Sequence, residues 1–235
     1  MAASSATPEQ KVIVVDFGAQ YGQLIARRVR DLRVYSEIVP CDVTADEVRD
    51  MAPAAIILSG GPASVYAHDA PSVDPRIFDL GIPVLGFCYG QQVMAVSLGG
   101  VVGRTESGEY GPAELIRLDG ACGEESGQRP LIAPSRLLGA TPCEQTVWMS
   151  HRDAVSQVPD GFVATSRTDA CPVASMECAE RRLYATQFHP EVRHTEFGQT
   201  MLRNFLFGVC GLEPDWTMDS IIDDSIEAIR AEVGD

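Results

Sequence analysis

The sequence predicts an α/β protein: an open, mostly parallel sheet with helices on both faces, plus a small antiparallel extension. Short β-branched runs alternate with stretches whose apolar residues recur at helical spacing. Glycine-rich breaks follow those runs, at the strand ends where a parallel sheet binds its ligands. The second half changes character, to short strand-like runs separated by Gly, Pro and Asp.

In order, Val12-Ile13-Val14-Val15 is a continuous β-branched run that suits a strand covered on both faces. Residues 16–22 break it, and Leu24, Ile25, Val29 and Leu32 follow at helical spacing. A second unit runs from Tyr35-Ser36-Glu37-Ile38-Val39 through Thr44, a good helix N-cap, into a helix over 45–51. A third strand, over 54–58, stops at Ser59-Gly60-Gly61-Pro62. Residues 83–92 supply a fourth strand, a glycine-flanked turn and the start of a helix over 89–98, which Gly99-Gly100 ends. Beyond it, 111–118, 145–150, 162–167 and 183–188 read as short strands, and 119–141 as a surface excursion with little regular structure. Phe197, Met201, Leu202, Phe205 and Val209 mark a helix over 196–209 that packs on the sheet. The chain thus divides into a disordered start over 1–11, one domain over 12–210, and a linker with an amphipathic helix over 211–235. On that helix Ile222, Ile226, Ile229 and Val233 form one stripe behind an Asp219 or Ser220 cap.

With 235 residues, 45% hydrophobic and 22% charged, the chain can bury one good core. A net charge of −15 opposes contact with a phosphate backbone, so nucleic acid is set aside. No stretch reaches the length that crosses a membrane, and the first ten residues lack the apolar run of a signal peptide. Seven cysteines, an odd number without Cys-x-x-Cys pairing, predict reduced thiols in the cytoplasm and neither a disulfide framework nor a zinc site.

Gly86-x-Cys88-x-Gly90 after an apolar strand has the spacing of a nucleophile elbow, where bare flanks let a strained turn lift the nucleophile toward a helix N-terminus. The same residues also suit a structural cysteine beside a tight turn. Gln187-Phe188-His189-Pro190-Glu191 closes a strand, and Pro190 holds His189 extended, so His189 and Glu191 can emerge on one side as base and orienter. An exposed loop is the plainer meaning of that pentapeptide alone. Oxyanion donors would be the backbone amides of Tyr89, at the helix start, and Gly61, where no side chain blocks approach. Gly60-Gly61 alone equally suits an ordinary turn.

These motifs together, in this order, resemble the class I glutamine amidotransferases. The resemblance implies that Cys88, His189 and Glu191 form a triad hydrolysing glutamine to glutamate and ammonia through a glutamyl thioester. It puts the oxyanion hole at Gly61 and Tyr89 and glutamine contacts at Gly60, Gln92, Ser150 and His151. Asp16-Phe17-Gly18-Ala19-Gln20-Tyr21, Val147-Trp148-Met149-Ser150-His151-Arg152-Asp153 and Trp216-Thr217-Met218 look like the branch of that family that serves the amination of xanthosine monophosphate. The implied partner is an ATP pyrophosphatase domain or subunit, in a full enzyme that could be a homodimer. No cofactor is implied in this chain; ATP and Mg belong to the partner, because the Ser-Gly-Gly-x-Asp-Ser phosphate loop is missing. Arg152 stands where many members have glycine, which bears on the shape of its loop. Gln91 replaces a commonly hydrophobic residue and is expected to be inconsequential on a helix face. The resemblance also admits a partner serving anthranilate, carbamoyl phosphate or CTP formation. A catalytically silent interaction domain is the remaining alternative, and the presence of Cys88, His189 and Glu191 together counts against it.

Overall fold

The computed structural model describes residues 10–18, 21–61, 64–120, 122 and 133–217. In chain order its elements are β1 (Lys11–Asp16), α1 (Gly22–Asp31), β2 (Tyr35–Pro40), α2 (Ala45–Met51), β3 (Ala55–Leu58), β4 (Val84–Phe87), α3 (Tyr89–Ser97), β5 (Val101–Arg117), β6 (Glu144–Gln157), β7 (Val163–Arg167), β8 (Ser175–Cys178), β9 (Leu183–Thr186) and α4 (Gly198–Arg203). A wider helical turn, Asn204–Val209, continues α4. All nine strands form one sheet in the order β2-β1-β3-β4-β9-β8-β7-β5-β6. From β2 to β9 neighbours run parallel, and from β9 to β6 antiparallel.

The period of two in a strand divides the core. Val12, Val14, Ile57 and Leu85 face Ile25 and Val29 of α1 and Met201, Leu202 and Phe205 of the last helix. Ile13, Val15, Ile56, Leu58 and Val84 face Val48 of α2 and Val93 and Met94 of α3 on the other side. Strands buried on both faces need apolar residues at consecutive positions, which is why the β-branched runs of β1 and β3 were readable.

The antiparallel half is larger than its sequence suggests. The stretch 111–118 is only the end of β5, whose first part contains Gly103 and Gly108 and an irregular register against β6 between Arg104 and Glu109. β6 likewise continues seven residues past Ser150, to Gln157. β8 carries no β-branched residue and had no sequence signal, yet all four of its positions are buried.

The excursion over 119–141 is not simply a surface loop. Leu137 and Leu138 enter the core, and a buried Arg117–Asp119 ion pair holds the segment, with Ser135 donating its hydroxyl to Glu177. Cys122 and Cys143 form a disulfide, which overturns the expectation that every thiol is reduced. The β5–β6 pairing brings the two ends of the excursion together, an adjacency that sequence spacing does not reveal. Gln91 is also a correction. The first seven residues of α3 are all buried, so no exposed face exists there; Gln91 donates to Val173 O at 3.0 Å while its own carbonyl oxygen has no partner among the described residues.

Residues 211–217 are not a free linker. Trp216 is buried, its amide donates to Arg33 O, and its ring lies 6.1 Å from that of Tyr35. The start over 1–9 and the helix stripe from Ile222 to Val233 lie outside the described residues.

Thr44 caps α2 as its sequence predicts: its hydroxyl accepts from the Glu47 amide while Glu47 accepts from the Thr44 amide. Thr44→Ala should lower the unfolding free energy in urea by ~1 kcal/mol. An unchanged midpoint would mean that the cap is not what holds this helix end.

Candidate active site

At the carboxyl end of β4 the chain turns so sharply that Cys88 sits at φ 51°, ψ −102°, backbone that an L residue adopts only under constraint. Bare flanks make the turn possible. A Cβ on Gly86 would lie 2.8 Å from the Gly90 carbonyl, and one on Gly90 2.6 Å from the Leu58 carbonyl oxygen. The Cys88 amide donates to Thr186 O of the adjacent β9 at 2.7 Å. Tyr89 is the first residue of α3, so its amide has no partner within the helix. The Tyr89 ring fills the place of a missing side chain at Gly61, where a Cβ would lie 2.8 Å from the ring, and its hydroxyl donates to Pro71 O.

Beyond β9 the chain bends at Gln187 and Phe188, and Gln187 and His189 both come to Cys88. Gln187 Nε2 lies 3.6 Å from the sulfur, and the Cys88 side chain is near enough to the His189 imidazole to help raise its pKa. Behind it, His189 Nδ1 is 2.7 Å from Glu191 Oε1, with both residues buried. Burial pulls the imidazole toward the neutral form, but the Glu191 carboxylate and Cys88 outweigh it and raise the His189 pKa well above its ordinary value. Arg28 fastens the segment to α1 by donating to Glu191 O at 2.9 Å, and Thr195 donates its hydroxyl to His189 O.

A cavity of about 610 Å³ opens over the sulfur. Cys88, Tyr89, Gly61, Gln92, Ser150 and His151 all reach its wall; Gly60 is buried behind it, its carbonyl accepting from Ser59. Ser150 O lies 3.7 Å from the sulfur. Gln92 Nε2 donates to Asp153 O at 2.6 Å and to Gln187 Oε1 at 3.2 Å. Both of its amide hydrogens are used inside the protein, so Oε1 is what Gln92 offers to the cavity. The Asp153 carboxylate accepts from the Ser64 hydroxyl across the cavity. Arg104 and Arg152 also line the cavity.

His151 supports the wall from within. Its Nδ1 lies 3.1 Å from Asp153 O and its Nε2 3.1 Å from Glu109 Oε2. Both partners are acceptors, so the ring keeps Nδ1–H toward Asp153 and shares one proton with Glu109. Burial pushes the His151 pKa down, and Glu109 opposes that. Glu109, His151 and Cys171 offer metal-ligating atoms within 4.8 Å of one another. Two features weigh against a metal there: burial pushes the Cys171 thiol up to about 12, and Thr168 already donates to the Glu109 carboxylate.

Gln187, Glu109 and Arg104 were missed from sequence. Gln187 had a signal, its two-residue offset from His189 on a segment that the sequence reads as extended. Arg104 and Glu109 had none, because the first part of β5 was not readable as a strand.

A cysteine on a strand-to-helix elbow, faced by a buried His–Glu pair on an open α/β sheet, is the arrangement of a thiol enzyme of acyl transfer. The chain belongs to the class I glutamine amidotransferases: the family model described as glutamine amidotransferase class-I matches residues 13–209. Curated relatives include the glutamine-hydrolysing GMP synthases of Heliobacterium modesticaldum, 51% identical over 97% of this chain, and Thermobifida fusca, 52% identical over 95%. The chain spans 42% and 40% of their respective lengths. Among solved structures, one from Thermoplasma acidophilum described as a GMP synthase subunit is 31% identical with a TM-score of 0.71, covering 86% of this chain and 94% of that one. A glutamine amidotransferase from Thermotoga maritima, 16% identical with a TM-score of 0.63 over 88% of this chain and all of its own, shares the fold.

Glu191→Gln keeps the shape of the pair and removes the charge that holds His189 protonated. Since folding raises this pKa, protonated His189 stabilises the native chain in full below the ordinary value of 6.5, and the contribution is lost as pH rises through the folded value. The His189 ring resonances of the Gln variant should therefore titrate at lower pH than those of the parent. Equal midpoints would show that Glu191 does not set this charge.

Proposed function

We propose that this chain is the glutaminase part of a GMP synthase, hydrolysing glutamine through a cysteine thioester and supplying ammonia for the amination of xanthosine monophosphate. The observation that carries this reading is the Cys88 elbow, with His189 on the sulfur and Glu191 2.7 Å behind it. The Cys88 proton passes to His189, whose raised pKa keeps it there as an imidazolium, and the sulfur then attacks the side-chain amide carbon of glutamine. The oxyanion that forms is met by the amides of Tyr89 and Gly61. Protonated His189 then gives its proton to the departing nitrogen, which leaves as ammonia, and a glutamyl thioester remains. Water, deprotonated by His189, attacks that thioester, releasing glutamate and restoring the thiol.

Glutamine itself fits the cavity chemistry. Gln92 Oε1 can accept from an amino or amide group of the substrate, and Arg104 and Arg152 suit its carboxylate. The wall positions of Ser150 and His151 support their part in holding the amino-acid end. Gly60 acts in this reading by shaping the turn that presents Gly61.

The chain covers about two fifths of its GMP synthase relatives, which supports a partner domain or subunit that activates xanthosine monophosphate with ATP and Mg. This chain needs no cofactor of its own for the thiol chemistry. No helix among the described residues is long and apolar enough to cross a membrane. A free thiol nucleophile favours a reducing compartment, which supports a cytoplasmic placement, whereas the Cys122–Cys143 disulfide is a bond such compartments seldom keep.

Treatment with a glutamine-mimicking diazoketone, followed by mass spectrometry, should place one adduct on Cys88, blocked by excess glutamine and missing in Cys88→Ser. Folded protein without an adduct, whether alone or with the partner, would sink the reading. With the pyrophosphatase partner supplied, Cys88→Ala should lose glutamine-dependent amination by more than about a thousandfold while amination from added ammonia persists.

A further inference from the structure

The Cys88 sulfur touches one buried side chain to which the mechanism above gives no part. Gln187 is fully buried, and its Nε2 lies 3.6 Å from the sulfur. The ends of an amide side chain are alike in shape and opposite in polarity, so its orientation is decided by its partners. Here a fixed backbone group decides it. Asp153 O can only accept, so the end of Gln92 that lies 2.6 Å from it must be the amino end. The same amino group lies 3.2 Å from the next amide, which must therefore present its oxygen, Gln187 Oε1. Gln187 is left with its amino end on the sulfur.

We propose that Gln187 is a thiolate-stabilising residue, donating an N–H to the Cys88 sulfur in an orientation imposed through Gln92 by the Asp153 carbonyl. The proposal rests on the reading of Cys88 as nucleophile. The need for such a donor is visible in the site. Ser150 O, 3.7 Å from the sulfur, accepts the thiol hydrogen but turns its negative end on a thiolate. Gln187 stands at nearly the same distance with opposite polarity and offsets it. A hydrogen bond to a charged acceptor is roughly twice as strong as one to a neutral acceptor, so the Gln187 contact strengthens when the proton leaves for His189. Gln92 thereby links the two ends of the reaction, because the residue that faces the substrate with Oε1 also orients the donor on the nucleophile.

The titratable and charged groups around the sulfur are His189, backed by Glu191; His151, backed by Glu109; Cys171; and, on the cavity wall, Asp153, Arg104 and Arg152. None is altered by substitution at Gln187. The test is the pH profile of iodoacetamide trapping at Cys88, read by peptide mass spectrometry, for the parent chain, Gln187→Met and Gln187→Glu. Gln187→Met removes the donor, and the half-plateau pH should rise by about one unit, a tenfold loss of trapping rate at lower pH. Gln187→Glu puts an acceptor in the same place and should shift it further. Unchanged profiles, or a Met shift as large as the Glu shift, overturn the proposal. A second readout needs no variant: in the parent chain labelled with 15N-glutamine, the Gln187 side-chain amide protons should move downfield over the pH range in which Cys88 becomes reactive, and a flat titration overturns the proposal. Trapping does not require glutamine turnover. A chain whose Cys88→Ala variant still hydrolyses glutamine would defeat the proposed function while leaving this measurement readable.

Discussion

The turn at Cys88 exists only because two neighbouring positions have no side chain, and most of the site follows from that turn. With Gly86 and Gly90 bare, β4 can end and α3 begin within two residues, so the helix N-terminus lies directly beyond the sulfur. Backbone held at φ 51° stores on the order of 1–3 kcal/mol of strain, and what holds it is burial. Every residue of β4 and the first seven of α3 are buried. The same close packing sets Gly61 against the Tyr89 ring, bringing a second loop to the nucleophile without any side chain of its own.

Charge around the cavity runs against charge in the whole chain. A net −15 would repel an anionic group at long range, yet the cavity wall carries two cationic residues, Arg104 and Arg152, against one carboxylate, Asp153. At physiological salt the screening length is about 8 Å, so a molecule at the mouth responds to those two guanidinium groups before it responds to the distant acidic surface. Arg152 is exposed there, and its backbone carbonyl accepts from Thr105. This part of β6 is held by its pairing with β5 and by the Thr105 hydroxyl, while the Arg152 side chain adds charge.

The parallel half of the sheet was legible because strands covered on both faces must be apolar at successive positions, and Val12 to Val15 and Ala55 to Leu58 are. The antiparallel half was not. Gly103 and Gly108 interrupt the first part of β5, and β8 reads as Ser-Met-Glu-Cys, with two polar residues buried by hydrogen bonds rather than by apolar neighbours. Cys88, His189 and Glu191 were legible because an elbow needs glycines and an extended histidine is marked by its proline. Glu109 was not, because it reaches His151 only through the β5–β6 pairing, which places residues 109 and 151 opposite each other. The disulfide escaped for the same reason: its partners are 21 residues apart at the two ends of an excursion that looked superficial.

The pairing of β4 with β9 also bears on how the chain matures. The nucleophile strand ends at Phe87, but its neighbour, which carries the base into reach, begins at Leu183. A growing chain emerges from the ribosome amino end first, so Cys88 is made long before His189 exists. Until β9 and the residues that follow it have been synthesised, and β9 inserted between β4 and β8, the nascent protein holds a cysteine without its base. Under the proposed function, glutamine hydrolysis would thereby be withheld from unfinished chains by topology alone.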